Sequence, residues 1–309
     1  MSFSRITRRH GGARRLFGSL GPLAALGCCL LLAAGCTSGP SATSGPETSG
    51  AGTSSGGATT AAGTTWVIDG QALAELGAGG MSSAQLSELF DNAHTYIVGA
   101  SSKSIESANI SNWISLRSRT VTDLRAADFA AGTAAVLYDD EDWSLTPAAQ
   151  QRDPSRYEAE GYRLARARGI VFIAAPAMDL VRVLDPDGSG SVAQRFLSLG
   201  LIGQAARYAD VVDIQAQGLE GSAQYASFVT AAAKQARSAN PDVRVLAGLS
   251  TNPSGRTLSS TVLAEDANAV RGVVDGYWLN IPSSGTACPQ CGTARPQTAV
   301  PWLEKLLTT

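Results

Sequence analysis

The chain has 309 residues, of which 44% are hydrophobic and 16% are charged, and its formal net charge is -2. This length is enough for one large domain with additional segments, and the charge gives no electrostatic basis for binding nucleic acid. We therefore expect no nucleic-acid partner. Because no Gly-rich dinucleotide turn follows the first predicted strand, no cofactor is expected either.

The N-terminus has the features of an export signal. A basic region with five arginines precedes the apolar residues 16–35, which end in small residues before Cys36. Leu32-Ala-Ala-Gly35-Cys36 resembles a bacterial lipobox, with Ala33 where Leu is preferred. Arg14-Arg15-Leu16-Phe17 resembles a twin-arginine motif, so both export routes stay open.

These features predict a lipoprotein anchored at the outer face of the cytoplasmic membrane through Cys36, or a secreted protein if the lipid is not added. A transmembrane anchor is the alternative. It is disfavoured because the apolar run is short and contains Gly21, Pro22 and Gly27.

A linker follows the signal. Residues 37–64 are almost entirely Ser, Thr, Gly, Ala and Pro, with Glu47 as the single charge. Such a segment cannot bury enough apolar surface to offset its chain entropy, so we expect disorder. The predicted boundaries are a signal peptide over 1–36, a linker over 37–64 and a folded domain over 65–309.

The folded domain keeps two cysteines, Cys288 and Cys291, in the sequence Cys-Pro-Gln-Cys. The pair could be a redox motif, half of a zinc site or a structural disulfide. No second CxxC pair exists, and the only histidine after the signal is His94, so no metal site is predicted. The oxidising compartment favours the disulfide, and the following residues lack the helix that a thioredoxin-like motif needs.

Strands and helices alternate from Trp66 onward, which predicts an α/β fold, a (β/α)8 TIM barrel. Strands are predicted at Trp66–Ile68, Thr95–Gly99, Ile114–Leu116, Thr133–Tyr138, Ile170–Ala174, Val211–Gln215, Val243–Leu249 and Gly276–Ile281. Helices are predicted at Ser82–His94, Ser155–Arg168, Ser191–Tyr208, Ser222–Ala239, Ser260–Val270 and near Val300–Leu307.

The fourth strand ends in a cluster of acids. Period 2 places Asp139 and Glu141 on one face of the strand and Asp140 and Asp142 on the other. Two carboxylates about 7 Å apart along the strand then point the same way. Their repulsion and partial burial would raise at least one pKa, which suits a general acid. The alternative is a solvated acidic cluster that caps the next helix.

Active sites of such barrels lie where the strands end, so the side chains just past each strand are the candidates. Carboxylates, amides and an indole face are the groups with which proteins bind sugars. The catalytic candidates are Glu141 and Asp139. The substrate-binding candidates are Asp140, Trp143, Gln215, Gln217, Asn252, Trp278 and Asn280. Taken singly, the glutamines could satisfy backbone groups, Trp278 could belong to the core, and Asn252-Pro253 is a common turn pair.

The stretch Tyr138-Asp-Asp-Glu-Asp-Trp143, followed by Thr146-Pro147 and Asp153-Pro154, resembles a group of uncharacterised secreted bacterial barrel proteins. More distantly, it is similar to the chitinase-like glycoside hydrolases, whose fourth strand ends in D-x-x-D-x-D-x-E. The resemblance implies that Glu141 is the general acid and that Asp139 orients a substrate N-acetyl group acting as nucleophile. It also implies that Trp278 forms the floor of the sugar site.

The chain departs from that family pattern at several positions. The two earlier aspartates of the motif fall at Ala134 and Leu137, and the sixth strand reads Asp-Ile-Gln-Ala-Gln where the family has a Met-x-Tyr-Asp sequence. The seventh strand ends in Leu249-Ser-Thr-Asn252 and supplies no glutamate. A retaining mechanism with a seventh-strand nucleophile is therefore disfavoured.

The leading hypothesis is a monomeric, lipid-anchored glycoside-hydrolase-like barrel that acts on a glycan or another small polar ligand. The runner-up is a non-catalytic barrel that binds a carbohydrate or another cell-envelope ligand. A third hypothesis, a thiol redox lipoprotein, depends on Cys288 and Cys291 alone.

Overall fold

The structure is a computed structural model and describes residues 63–99, 115–125, 132–285 and 288–308. Eight parallel strands close into a barrel in chain order, with the last strand beside the first. They are β1 (Thr65–Asp69), β2 (Thr95–Val98), β3 (Leu116–Val121), β4 (Ala135–Asp140), β5 (Val171–Pro176), β6 (Val211–Ile214), β7 (Arg244–Ser250) and β8 (Gly276–Asn280). The predicted (β/α)8 fold is confirmed. The predicted signal peptide, Cys36 and nearly all of the predicted linker lie outside the described residues.

Helices follow the strands and pack around the barrel. They are α1 (Gly70–Ala78), α2 (Ser83–Phe90), α3 (Ala148–Gln151), α4 (Pro154–Arg166), α5 (Val181–Leu184), α6 (Val192–Leu199), α7 (Leu201–Ala206), α8 (Tyr225–Ala239), α9 (Ser260–Val270) and α10 (Val300–Leu306). Local sequence sets several of their starts. Ser82 and Ser191 each form a capping box with the glutamine three residues later, and Pro154 occupies the first turn of α4.

The alternation of side chains along each strand divides the apolar residues into two cores. One core lies between the strands and the helices and includes Trp66, Tyr138 and Phe172. The other fills the barrel interior with Val67, Tyr96, Val98, Ala135, Leu137, Ile173, Ala175, Val211, Leu246 and Trp278. Because alternate residues of a strand face the same way, these interior positions identify which side chains point into the barrel mouth.

The short helices α3 and α5 were not predicted, and the structure differs from the predicted elements in three further places. β3 begins where the predicted third strand ends, because its polar sequence Leu-Arg-Ser-Arg-Thr-Val offers no apolar run. The predicted helix over Ser191–Tyr208 is two helices, since Gly200 adopts a left-handed conformation with φ 66° between them. Helix α1 was not predicted, and its start is fixed by the Asp69 carboxylate, which accepts from the Gln71 amide at 2.6 Å.

Of the helices in the described ranges, none has the length and apolar character that crossing a membrane would require.

Candidate active site

Strand β4 delivers its acids to opposite sides of the barrel wall. Leu137 belongs to the interior core and Tyr138 to the outer core, so the alternation points Asp139 inward and Asp140 outward. Asp139 keeps only 7% of its surface exposed and Asp140 keeps none. Of these two neighbouring carboxyl groups, Asp139 alone belongs to the barrel mouth.

Asp139 is held by an amide from a neighbouring strand end. Gln215, just past β6, donates from Nε2 to Asp139 Oδ1 at 2.8 Å and to the Ala175 carbonyl at 2.7 Å. Burial raises the pKa of Asp139, the Gln215 hydrogen bond opposes that shift, and the charge of Asp179 adds to it. The structure therefore brings together Asp139 and Gln215, which the sequence analysis had placed in one site.

Glu141 follows directly after β4 and is half-buried. Burial raises its pKa, and the charges of Asp139, Asp179 and Asp140 raise it further, in that order. With its pKa raised to about 9, the Glu141 carboxyl group keeps its proton at neutral pH, which is the state that a general acid needs. The expectation that burial and repulsion raise a pKa in this cluster agrees with these shifts.

The rim beside Glu141 is closed by contacts between two loops. The Asp142 amide donates to Asp179 Oδ1 at 3.0 Å, joining the loop after β4 to the loop after β5. Arg182 lies 3.6 Å from Asp142 and 3.9 Å from Asp179, but its side chain is 64% exposed. At that exposure the ion pairs are screened by solvent and contribute little to stability.

Sequence analysis missed Asp213, the most deeply buried acid of the mouth. The strand register aligns Asp139 with Ala175 and, on β6, Ala175 with Asp213, so the two acids face inward in one row with only a methyl group between them. Asp213 is fully buried, and neither of its oxygens has a hydrogen-bond partner among the described residues. Burial, followed by the charge of Asp139, raises its pKa well above the usual value. The sequence signal for Asp213 is its spacing: it lies two residues before Gln215, so both side chains lie on the same face of the strand.

We call this arc of β4, β5 and β6 the acid half of the mouth, with Asp139, Glu141, Asp179, Asp213 and Gln215 as its members. The opposite arc comprises β8, β1, β2 and β3 and surrounds a cleft of about 370 Å³. Trp278 and Asn280 line this cleft, as do Asp69 and Thr120. We call it the indole half. Neither Asp69 nor Thr120 was among the predicted site residues. Asp69 is a single acid at the end of β1, and the third strand was predicted to end at Leu116, four residues before Thr120.

Gln217 lies between the two halves. A Cβ atom added to Gly248 would overlap the Gln217 amide, so glycine provides the space that this side chain occupies. Gly248 is aligned with Trp278 in the β7–β8 register. Gln217 is thus placed next to the indole half, while Gln215 serves the acid half.

Two predicted substrate-binding residues lie elsewhere. Asp140 points away from the mouth and lies near Glu158 of α4, where burial raises its pKa to about 7. Asn252 is fully buried, and its Nδ2 donates to the carbonyls of Pro282 at 3.2 Å and Cys291 at 2.7 Å. It therefore anchors the loop after β8, and neither side chain offers a surface to a ligand.

Trp143 is half-buried on the loop after β4. Its Nε1 donates to Thr146 Oγ1 at 2.7 Å, and its carbonyl accepts from Gln151 Nε2 at 2.7 Å. These bonds fix the loop that carries Glu141. Ligand binding by Trp143 stays a prediction.

The predicted disulfide between Cys288 and Cys291 is confirmed. It lies in the loop after β8, and Cys288 lines the indole-half cleft. The loop is also closed by Ser284, whose amide donates to the Gly292 carbonyl at 2.7 Å and whose Oγ accepts from the Gly292 amide at 2.8 Å. Within the described part of the chain, no group of three or more His, Cys, Asp or Glu side chains could hold a metal ion.

The fold and site define the class of the protein: a (β/α)8 barrel with buried carboxyl groups on one side of its mouth and an indole-lined cleft on the other. No protein-family model matches the chain, and a search of the curated proteins found no match.

Proposed function

We propose that the protein is a glycoside hydrolase whose general acid is Glu141. The observation that supports this most is the raised pKa of Glu141, produced by burial and by the neighbouring carboxylate of Asp139. Protonated Glu141 would donate its proton to the glycosidic oxygen as the bond to the anomeric carbon breaks. A water molecule would later supply the hydroxyl group, and its proton would return to Glu141.

Asp139 has two supporting roles in this proposal. Its charge favours the protonated form of Glu141, and its fixed position next to Gln215 lets it orient a substrate group or stabilise positive charge at the anomeric carbon. Resemblance to the chitinase-like enzymes implies a substrate N-acetyl group as the nucleophile. Asp179 is the carboxyl group of the described mouth that could serve instead, since its charge acts on both acids.

The test is hydrolysis of a panel of oligosaccharides and aryl glycosides, with and without N-acetyl groups, by the wild-type protein and by Glu141→Gln. We expect a loss of about 10² to 10⁴-fold in the variant, the usual contribution of a general acid. Glu88→Gln, an exposed change on α2, is the matched control. Unchanged hydrolysis in Glu141→Gln would remove Glu141 from the mechanism.

The second candidate is a non-catalytic barrel that binds a glycan. Burial of Asp139, which keeps 7% of its surface exposed, favours it, because such a carboxyl group can hydrogen-bond a ligand while remaining protonated. Glycan binding without product over long incubation, unchanged in Glu141→Gln, would select this candidate over hydrolysis.

We also propose that the protein is anchored outside the cytoplasmic membrane through a lipid on Cys36. Support comes from the lipobox-like sequence and the linker that follows it. Mass spectrometry of the mature N-terminus tests this. A diacylglyceryl group on Cys36 is expected, and a mature N-terminus at any other residue would contradict it.

A further inference from the structure

A basic cleft lies at the base of the barrel, the end at which the strands begin. It has a volume of about 390 Å³ and is partly formed by Gly63 and Thr65, where the chain enters the barrel. Active sites of (β/α)8 barrels lie at the opposite end, so catalysis does not account for the charged groups here. The charged and titratable residues that line this cleft are His94, Arg237, Arg244, Arg271 and Asp275.

Arg244 provides a positive charge that no described acid pairs with. It is the first residue of β7, and its exposed side chain has no hydrogen bond or ion pair within the described residues. Burial raises the pKa of Tyr96 in the interior core, and the charge of Arg244 opposes that rise, so the guanidinium group lies near the inner opening of the base. Arg237 differs, because it pairs with Asp275 at 3.1 Å.

A second basic cleft, of about 710 Å³, lies between α6, α7 and α8. Arg207 and Lys234 line it, both exposed, and no acid is among its described lining residues. Lys234 lies one helical turn before Arg237 on α8, so the two clefts are neighbours along that helix. We call the two clefts together the basic face. Its charged residues in the described ranges are the bases Arg207, Lys234, Arg237, Arg244 and Arg271 and the single acid Asp275.

The turns that lead into the neighbouring strands change this balance little. Asp210 is engaged there, because its Oδ2 accepts from the Phe172 amide at 2.9 Å. The mouth, at the other end of the barrel, carries the acid half and Asp69, so the two ends of the molecule differ in charge. The turns into β2, β5, β6 and β7 add the acids Asp91, Asp210 and Asp242 and the bases Arg166 and Arg168.

We propose that the basic face binds the anionic headgroups of the membrane surface, so that the mouth points away from the membrane. Guanidinium groups suit this partner, because they bind phosphate groups through paired hydrogen bonds. The predicted linker over 37–64 joins the barrel at this same face, and Cys36 lies at the other end of that linker. The inference rests on the proposed lipid anchor for the location of the membrane and is independent of the proposed hydrolysis.

The linker would make even a weak contact effective. As the random coil that its composition predicts, the segment 37–64 has a root-mean-square length of about 30 Å. A tether of that length holds the basic face at a millimolar effective concentration beside the lipid surface. Each basic side chain near an anionic surface then strengthens the docking about fivefold.

The experiment uses the exported and processed protein on vesicles of phosphatidylcholine alone and on vesicles of phosphatidylcholine mixed with phosphatidylglycerol. Flotation with the neutral vesicles reports the anchor, and amide hydrogen exchange measured by mass spectrometry reports the docking. We expect the turns that end at Arg244 and Asp275 to exchange about fivefold more slowly on the anionic vesicles, which corresponds to about four of five molecules docked. The loop after β4 should exchange equally on both and serves as the reference.

Arg244→Gln is the discriminating variant, because it removes one exposed positive charge. It should reduce the protection to less than about twofold, since a fivefold weaker docking leaves fewer than half of the molecules docked. Arg207→Gln tests the second cleft in the same way. Arg152→Gln, an exposed change just before α4 at the mouth end, is the matched control and should keep the full protection.

Three results would overturn the inference. They are equal exchange of the base on the two kinds of vesicle, protection of the loop after β4 in place of the base, and full protection in both Arg244→Gln and Arg207→Gln. A protein that floats with the anionic vesicles but not with the neutral ones would lack the proposed anchor and keep the docking surface. A protein that floats with neither would contradict both proposals.

Discussion

The two halves of the barrel mouth are built in opposite ways. In the acid half, Asp139 and Asp213 are buried side by side, and the charge of Asp139 raises the pKa of both Asp213 and Glu141. In the indole half, the side chains of Asp69, Thr120 and Asn280 surround an open cleft. The carboxyl groups of the acid half are thus buried and close together, whereas the polar groups of the indole half are separate and line an open cleft.

The largest effect is expected from Asp139→Asn. Removing its charge lowers the pKa of Glu141, because that charge is the second largest cause of the raised value. We expect hydrolysis to fall about 10²-fold or more. Since the general acid works only when protonated, the alkaline fall in activity should also move to lower pH. The measurement is the pH dependence of kcat/KM.

The control for that experiment is Asp187→Asn, an exposed change in the loop before α6, which should leave the pH profile in place. If the alkaline fall in kcat/KM stays at the same pH in Asp139→Asn, the charge of Asp139 does not raise the pKa of Glu141.

Asp213→Asn tests whether burial of the Asp213 carboxyl group makes the free energy of unfolding depend on pH. The folded-state pKa of Asp213 is raised, so the native state binds more protons than the unfolded state above about pH 3.8, and stability falls as pH rises. Asparagine removes this titration. We expect the variant to gain stability relative to wild type above that pH, by up to about 1.4 kcal/mol per pH unit. Urea unfolding at several pH values measures this.

Asp242→Asn is the matched surface change and should leave the slope of stability against pH unaltered. If the free energy of unfolding has the same slope against pH in Asp213→Asn and in the wild-type protein, the carboxyl group of Asp213 has an ordinary pKa. Water then reaches the acid half.

Asn252→Ala tests how the indole half is held open. The change removes two hydrogen bonds to the carbonyls of Pro282 and Cys291, both buried or nearly so. We expect a loss of about 1–3 kcal/mol in the free energy of unfolding and weaker ligand binding at Trp278. Asn268→Ala, exposed on α9, is the control. Full stability in Asn252→Ala would mean that the loop is held by other contacts.

The smallest effect is expected from replacing both Cys288 and Cys291 by serine. The disulfide spans three positions in sequence, so the ring it closes is small and the stabilisation should be about 1–2 kcal/mol. The ¹⁵N NMR signal of the Trp278 indole should shift, while hydrolysis kinetics that depend on Glu141 should change little. A larger effect on the acid half than on the indole half would contradict the division of the mouth.

Sequence patterns predicted the barrel well because apolar strands and amphipathic helices alternate along most of the chain. They also located the acid half, since Asp139 and Glu141 follow a clear apolar run. They did not show that Asn252 is buried under the loop after β8, because periodicity does not show that a strand-end amide bonds to a distant loop. Asp213 was missed because candidates were sought just past the strand ends, whereas Asp213 lies inside β6, two residues before Gln215.

The direct test of the account is a carbon-13 NMR titration of the Glu141 side-chain carboxyl group, assigned with Glu141→Gln. The account predicts that this group titrates well above the ordinary glutamate value of about 4.3 and that Asp139→Asn lowers its pKa. A Glu141 pKa close to that ordinary value, unchanged in Asp139→Asn, would contradict it.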